Sequence, residues 1–168
     1  MPRTMRAVVV MGVAGCGKST VGAAICNRTG ARMIEGDAFH PQSNIRKMSA
    51  GIPLDDADRA GWLARLGEEL ASTVATGDTA VLACSALKRR YRDTLRAAVP
   101  DVGFVYLALT PTEAAERVSH RPGHFMPATL IESQFRDLET PTGEPRVLTV
   151  NATDPWPSIV DAVLAWWR

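Results

Sequence analysis

The segment Gly12-Val13-Ala14-Gly15-Cys16-Gly17-Lys18-Ser19-Thr20 follows directly on the apolar run Ala7-Val8-Val9-Val10-Met11. The run is continuous and β-branched, the pattern of a strand buried on both faces. Its glycines allow a sharp backbone turn. A helix is then predicted from Lys18 to about Thr29, ended by Gly30. A strand, a glycine turn and a helix in direct succession leave few folds open, chiefly those with a parallel sheet.

The remaining chain repeats the alternation. Strands are predicted in "ARMIEGD", "TAVLACS", "VGFVYLAL" and "PRVLTVN". Helices are predicted in "PQSNIRKMSAG", closed by Gly51, and in "DDADRAGWLARLGEELASTVATG", whose stripe is Leu63, Leu66, Leu70 and Val74. Further helices cover "KRRYRDTLRAAV", "TPTEAAERVSHR" with Thr110 as cap, Leu130 to Leu138, and "PWPSIVDAVLAWW". The expected architecture is α/β, a five-stranded, mainly parallel sheet flanked by helices. At 168 residues, without internal repeat or low-complexity linker, one domain over 1–168 is expected. A formal charge of +1 argues against a bulk nucleic-acid binder. Cys16, Cys26 and Cys84 form no metal-like cluster and read as reduced thiols. No stretch has the length of a membrane span or a secretory signal, so a soluble, cytoplasmic protein is expected.

Residues 12–19 satisfy G-x-x-x-x-G-K-[ST] between strand and helix. In such a loop the amides turn inward as an anion nest, and the helix N-terminus adds partial positive charge. Gly12, Val13, Ala14, Gly15, Cys16, Gly17, Lys18, Ser19 and Thr20 are therefore expected to bind the phosphates of a nucleotide, ATP on the resemblance described below. Lys18 reaches the β- and γ-phosphates, and Ser19 ligates magnesium. The loop's use is a separate question. "DRAG" (58–61) imitates a GTPase motif, but no strand precedes it and no N-K-x-D occurs. A motor or AAA-type module would carry an acid after a β-rich strand, where this chain has Cys84 and Ser85. Acid comes instead in "EGD": Glu35 could hold a magnesium-bound water, and Asp37 could orient or deprotonate a substrate hydroxyl.

From here the blocks resemble a known family. Gly36-Asp37, His40-Pro41, Asn44, Lys47 and Met48 are similar to the G-D-x-x-H-P-x-x-N-x-x-K-M signature of the small P-loop gluconate kinases, relatives of shikimate and adenylate kinases. The likeness continues through "GIPLDDADRAGWL", "CSALKRRYRDTLR", "RVSHRPGHFMP" and "SQFRDLETP", in order and over nearly the whole chain. Two departures stand out: Gly61 replaces the family's proline before Trp62, and Glu35 stands where aspartate is common.

The resemblance implies transfer of phosphate from ATP to the 6-hydroxyl of D-gluconate, with magnesium, in a dimer. It also implies a lid over about 117–127 whose Arg117 and Arg121 close on the ATP. Lys18, Asp37, Arg117 and Arg121 would be catalytic. His40, Lys47, Arg59 and Lys88, with Asp37, are candidates for the acceptor, whose carboxylate needs a cation. Another sugar acid, a shikimate-like acceptor or a non-kinase P-loop module stay as alternatives. The basic run Lys88, Arg89, Arg90, Arg92, Arg96 reads as a solvated helix face. Trp156, Trp166 and Trp167 read as core or a subunit contact.

Overall fold

Every residue of β1 (Ala7–Met11) is buried. Successive strand side chains point to opposite faces, so burial this continuous requires cover on both sides of the sheet. The computed structural model, which describes residues 5–119 and 128–167, supplies that cover. After β1 come α1 (Lys18–Thr29), β2 (Arg32–Glu35), a 3-10 turn (Gly36–Phe39), α2 (Gln42–Ser49), α3 (Asp56–Ala75) and β3 (Ala80–Ala83). They are followed by α4 (Arg89–Ala98), β4 (Gly103–Ala108), α5 (Pro111–Ser119), α6 (Ala128–Asp137), β5 (Val147–Asn151) and α7 (Trp156–Trp166). The sheet order is β2-β3-β1-β4-β5, and each of the four pairings is parallel. Helix α1 packs with α7, and α3 with α4.

The predicted boundaries follow from local chemistry. Gly30 ends α1 in the left-handed region, its N–H donating to the Cys26 carbonyl. Thr110 caps α5 reciprocally with Glu113. A second reciprocal box, Asp55 with Asp58, starts α3. "DRAG" therefore belongs to the first turns of that helix, not to a loop after a strand. The expected stripe of α3 is buried, together with Arg59 and Trp62.

Topology positions the site. From β1 the chain moves out to β2 and β3 on one side, and later to β4 and β5 on the other. The crevice at the carboxyl end of β1 is thus where α/β sheets bind ligands. The loops after β1 and β3 are tied there by the Gly12 N–H, which donates to the Ser85 carbonyl at 3.3 Å. The lid expected over 117–127 begins in the last turn of α5. Residues 120–127, Arg121 among them, lie outside the described residues.

One expectation is corrected. The basic run of α4 is not a solvated face throughout, because Arg92 is fully buried. The helical period turns Arg92 and Arg96 inward, where both meet Glu144, at 2.6 and 2.8 Å. Arg92 also donates to the carbonyls of Ala86, Leu87 and Glu139. It thereby shapes the loop that carries Ser85 to the crevice. Arg92→Met should destabilise the fold by about 3–5 kcal/mol, since it removes one of the two cations on a buried carboxylate and a donor to three carbonyls. Urea unfolding of the variant against the wild type measures this.

Candidate active site

The glycine loop runs from the end of β1 to α1. Gly15 and Gly17 have φ of 84° and 96°, a region that side chains disfavour. Val13 and Cys16 turn inward and are buried, while Ala14, Gly15, Gly17, Lys18, Ser19 and Thr20 line a cavity of about 640 Å³. The Lys18 ammonium lies over the loop, donating to the carbonyls of Gly12 and Val13 at 3.1 and 3.2 Å. The Ser19 hydroxyl donates to Glu35 Oε1 at 2.9 Å, so the first turn of α1 and the end of β2 meet at the two residues expected to hold a metal. Among the described residues no three His, Cys, Asp or Glu side chains cluster to hold a metal. One hydroxyl and one nearby carboxylate suit Mg²⁺, which keeps several waters and takes oxygens from substrate phosphates.

The cavity's opposite end is the segment after β2. Gly36 is tightly placed, since a Cβ there would stand 2.5 Å from the Ala83 carbonyl. Its own carbonyl accepts from Trp62 Nε1 at 2.8 Å. The Trp62 ring also stacks on His40, centroids 4.1 Å apart. The Asn44 amide nitrogen sits 3.1 Å from His40 Nδ1 and donates to the Asp58 carbonyl at 2.9 Å. That carbonyl fixes the amide as the donor, so Nδ1 accepts and the ring proton belongs on Nε2. Nε2 stands 3.8 Å from Asp37 Oδ1. Burial pushes the His40 imidazole below its ordinary value; Asp37 opposes the shift and Arg59 adds to it. His40 is therefore neutral at physiological pH. Asp37, at the end of this wall, is open to solvent and lines the cavity.

The candidate cations differ in their surroundings. Arg59 lines the cavity, donating to Tyr91 and to Asp137 of α6, each at 3.0 Å. Lys47 pairs with Asp58 at 2.8 Å, which raises its pKa. Lys88 pairs with Asp56 at 2.9 Å. Hydrogen bonds from Tyr91 and then Lys88 hold the Asp56 carboxyl down at about 2. Lys88 and Arg59 line a second, smaller cavity of about 330 Å³, adjoining the first at Pro53, Leu54 and Ser133. Lys47 lines neither. Arg117 of α5 borders the main cavity and donates to the carbonyls of Gly15 (3.1 Å) and Ala152 (2.7 Å). Cys84 is no nucleophile, because burial pushes its thiol up to about 12.

Sequence reasoning named the catalytic loop and the acid wall but assigned no site role to Trp62, Asn44, Asp56, Asp58, Tyr91, Gln134 or Asp137. Trp62 and Asn44 stood in the matching blocks, which was a signal. Gln134 and Asp137 also stood in a matching block, "SQFRDLETP", but the groups they face appear only when α6 folds onto the loop and onto α3.

A family model described as an AAA domain matches residues 8–141. Over 146 residues, 87% of this chain and 82% of its relative, the sequence is 48% identical to a gluconokinase of Gluconobacter oxydans. The crystal structure of a gluconokinase from Sinorhizobium meliloti 1021 superposes with a TM-score of 0.89 at 50% identity, covering 99% of this chain and 93% of that one. Shikimate kinase from Aquifex aeolicus shares the fold, with a TM-score of 0.67 at 13% identity over 95% of each chain.

A neutral buried histidine has a signature in stability. The folded state binds fewer protons than the unfolded chain as pH falls through the ordinary histidine value near 6.5, so stability declines below that value. Between about pH 7 and pH 5 the wild type should lose more melting temperature than His40→Phe, which keeps a ring against Trp62 but cannot titrate. Parallel melting curves across that range check the sign.

Proposed function

The chain belongs to the gluconokinase family, and on that premise we propose that it transfers the γ-phosphoryl group of ATP to the 6-hydroxyl of D-gluconate, giving 6-phosphogluconate and ADP. One observation carries the reading. A single cavity has the phosphate-binding loop at one end and Asp37, His40 and Arg59 at the other. Donor and acceptor would meet between them.

Phosphoryl transfer needs alignment and charge neutralisation more than covalent help. The loop amides and Lys18 cradle the β- and γ-phosphates. Ser19 would hold Mg²⁺, with Glu35 reaching it through a water, and the ion when bound would neutralise charge on the phosphate oxygens. Asp37 aligns the 6-hydroxyl and accepts its proton as the new O–P bond forms and the bond to ADP breaks. His40, neutral and protonated on Nε2, donates a hydrogen bond toward the acceptor. Arg59 supplies the positive field for the carboxylate, with Lys88 next to it in the adjoining cavity. Lys47 acts from the wall through Asp58. Arg117, which borders the main cavity, and Arg121 supply positive charge to the ATP phosphates. A shikimate-like acceptor has less support, because the likeness to shikimate kinase is one of fold.

The same reading has the enzyme working in the cytoplasm as a homodimer, without nucleic acid or membrane. No helix among the described residues is long and apolar enough to cross a membrane. Trp156, at the start of α7, is exposed and open to a second copy.

ADP release with gluconate, other sugar acids, glucose and shikimate tests the assignment. A charge-assisted hydrogen bond to the carboxylate is worth about 1.5–3 kcal/mol, so gluconate should exceed glucose by one to two decades in kcat/KM. Equal use of glucose would refute the sugar-acid reading. Lys18→Ala should lose two decades of turnover or more with its melting temperature kept. Asp37→Asn should bind ATP normally and lose transfer, since asparagine keeps the shape without the charge.

A further inference from the structure

The glycine loop is held from outside by the two helices that flank residues 120–127. Helix α5 packs against Gly15, where an added Cβ would stand 3.2 Å from Val118, and Arg117 grips the Gly15 carbonyl. From α6, Gln134 Oε1 accepts the Ala14 N–H at 2.6 Å, a contact between residues 120 positions apart. Phosphate loops hold their amides ready for anions, so an amide taken by a side chain calls for an explanation.

The chemistry of a carboxamide provides one. Its oxygen only accepts and its nitrogen carries two donor hydrogens. With Oε1 committed to Ala14, the Gln134 amide orientation is set, and Nε2 has no partner among the described residues. Gln134 also lines the main cavity, between the loop and Ser133. Two oriented neutral donors therefore border the space where a terminal phosphoryl group would be transferred. Donors aimed at developing charge in a sheltered site lower barriers without needing to reorganise. A glutamate would offer Ala14 the same acceptor but present negative charge to the phosphates.

We infer that Gln134 is a catalytic residue of phosphoryl transfer. Its oxygen locks onto the loop through Ala14, and its amide hydrogens bond the oxygens of the migrating phosphoryl group. The inference rests on the reading of the loop as an ATP site. It adds a neutral donor to the cations already assigned, and it makes α6 part of the transfer machinery.

The test compares wild type, Gln134→Met and Gln134→Glu in gluconate-dependent ADP release, ADP binding by calorimetry and thermal melting. Gln134→Met should lower kcat by about 100-fold, the scale for losing one preorganised donor, with ADP affinity within about twofold of wild type. Gln134→Glu keeps the acceptor for Ala14 and the side-chain length, so it should melt like the wild type yet be as slow as Gln134→Met. Turnover within about threefold of wild type in either variant would overturn the inference. So would a loss of ADP affinity matching the loss of kcat/KM, which would mean that Gln134 only shapes the loop. Should Gln134→Met not fold, Gln134→Glu decides alone. A wild type without gluconate-dependent ADP release would strike the acceptor assignment instead. The Gln134 effect would then be read on acceptor-independent ATP hydrolysis, with the same fall expected.

Discussion

The hydrogen bonding of β1 on both edges is the constraint from which the rest of the structure follows. Val8, Val9 and Val10 pair with β3 on one side and with β4 on the other. Such a strand cannot slide without breaking two ladders and exposing an apolar face. Its carboxyl end is therefore a fixed point, and the flexible glycine loop begins there. The loop's freedom is then removed locally. Lys18 folds onto the Gly12 and Val13 carbonyls, Gly12 ties to Ser85, and α5 and α6 grip Gly15 and Ala14. A loop with enough glycine to wrap a phosphate is thus presented in one shape.

The wall after β2 depends on a second anchor, the Trp62 indole. One ring holds the Gly36 carbonyl with its N–H and His40 with its face. Trp62 stands on α3, whose inner stripe packs into the core. The wall that carries Asp37 and His40 is accordingly referenced to the same core as β1. That common reference keeps the two ends of the cavity in fixed relation to each other.

Charge is arranged around these anchors in matched sets. Asp56 takes Lys88, Arg90 and Tyr91; Asp58 takes Lys47 and the N–H of Asp55, the cap of α3; Asp137 takes Arg59; Glu144 takes Arg92 and Arg96. The partially exposed pairs contribute little to stability but fix side-chain direction. The Arg59–Asp137 pair has a wider reach. It joins α3 to α6, the helix that carries Gln134 to the loop.

What the sequence determined by itself was the chemistry that contiguous residues can encode. Strand burial shows in consecutive β-branched residues, the phosphate loop in its glycines followed by Lys18 and Ser19, and helix ends in Gly30 and Thr110. The acid wall was equally legible, because Glu35, Asp37 and His40 lie within one short segment. The sequence misjudged Arg92, whose burial depends on Glu144 folding back onto α4. It could not rank Lys47, Arg59 and Lys88, because their carboxylate partners lie on other elements. It gave Gln134 no role, since nothing near it in the chain needs its oxygen. Those matters only the tertiary structure decided. A charge or an amide takes its function from the group it faces, and in a parallel sheet with crossover helices that group comes from a distant part of the chain.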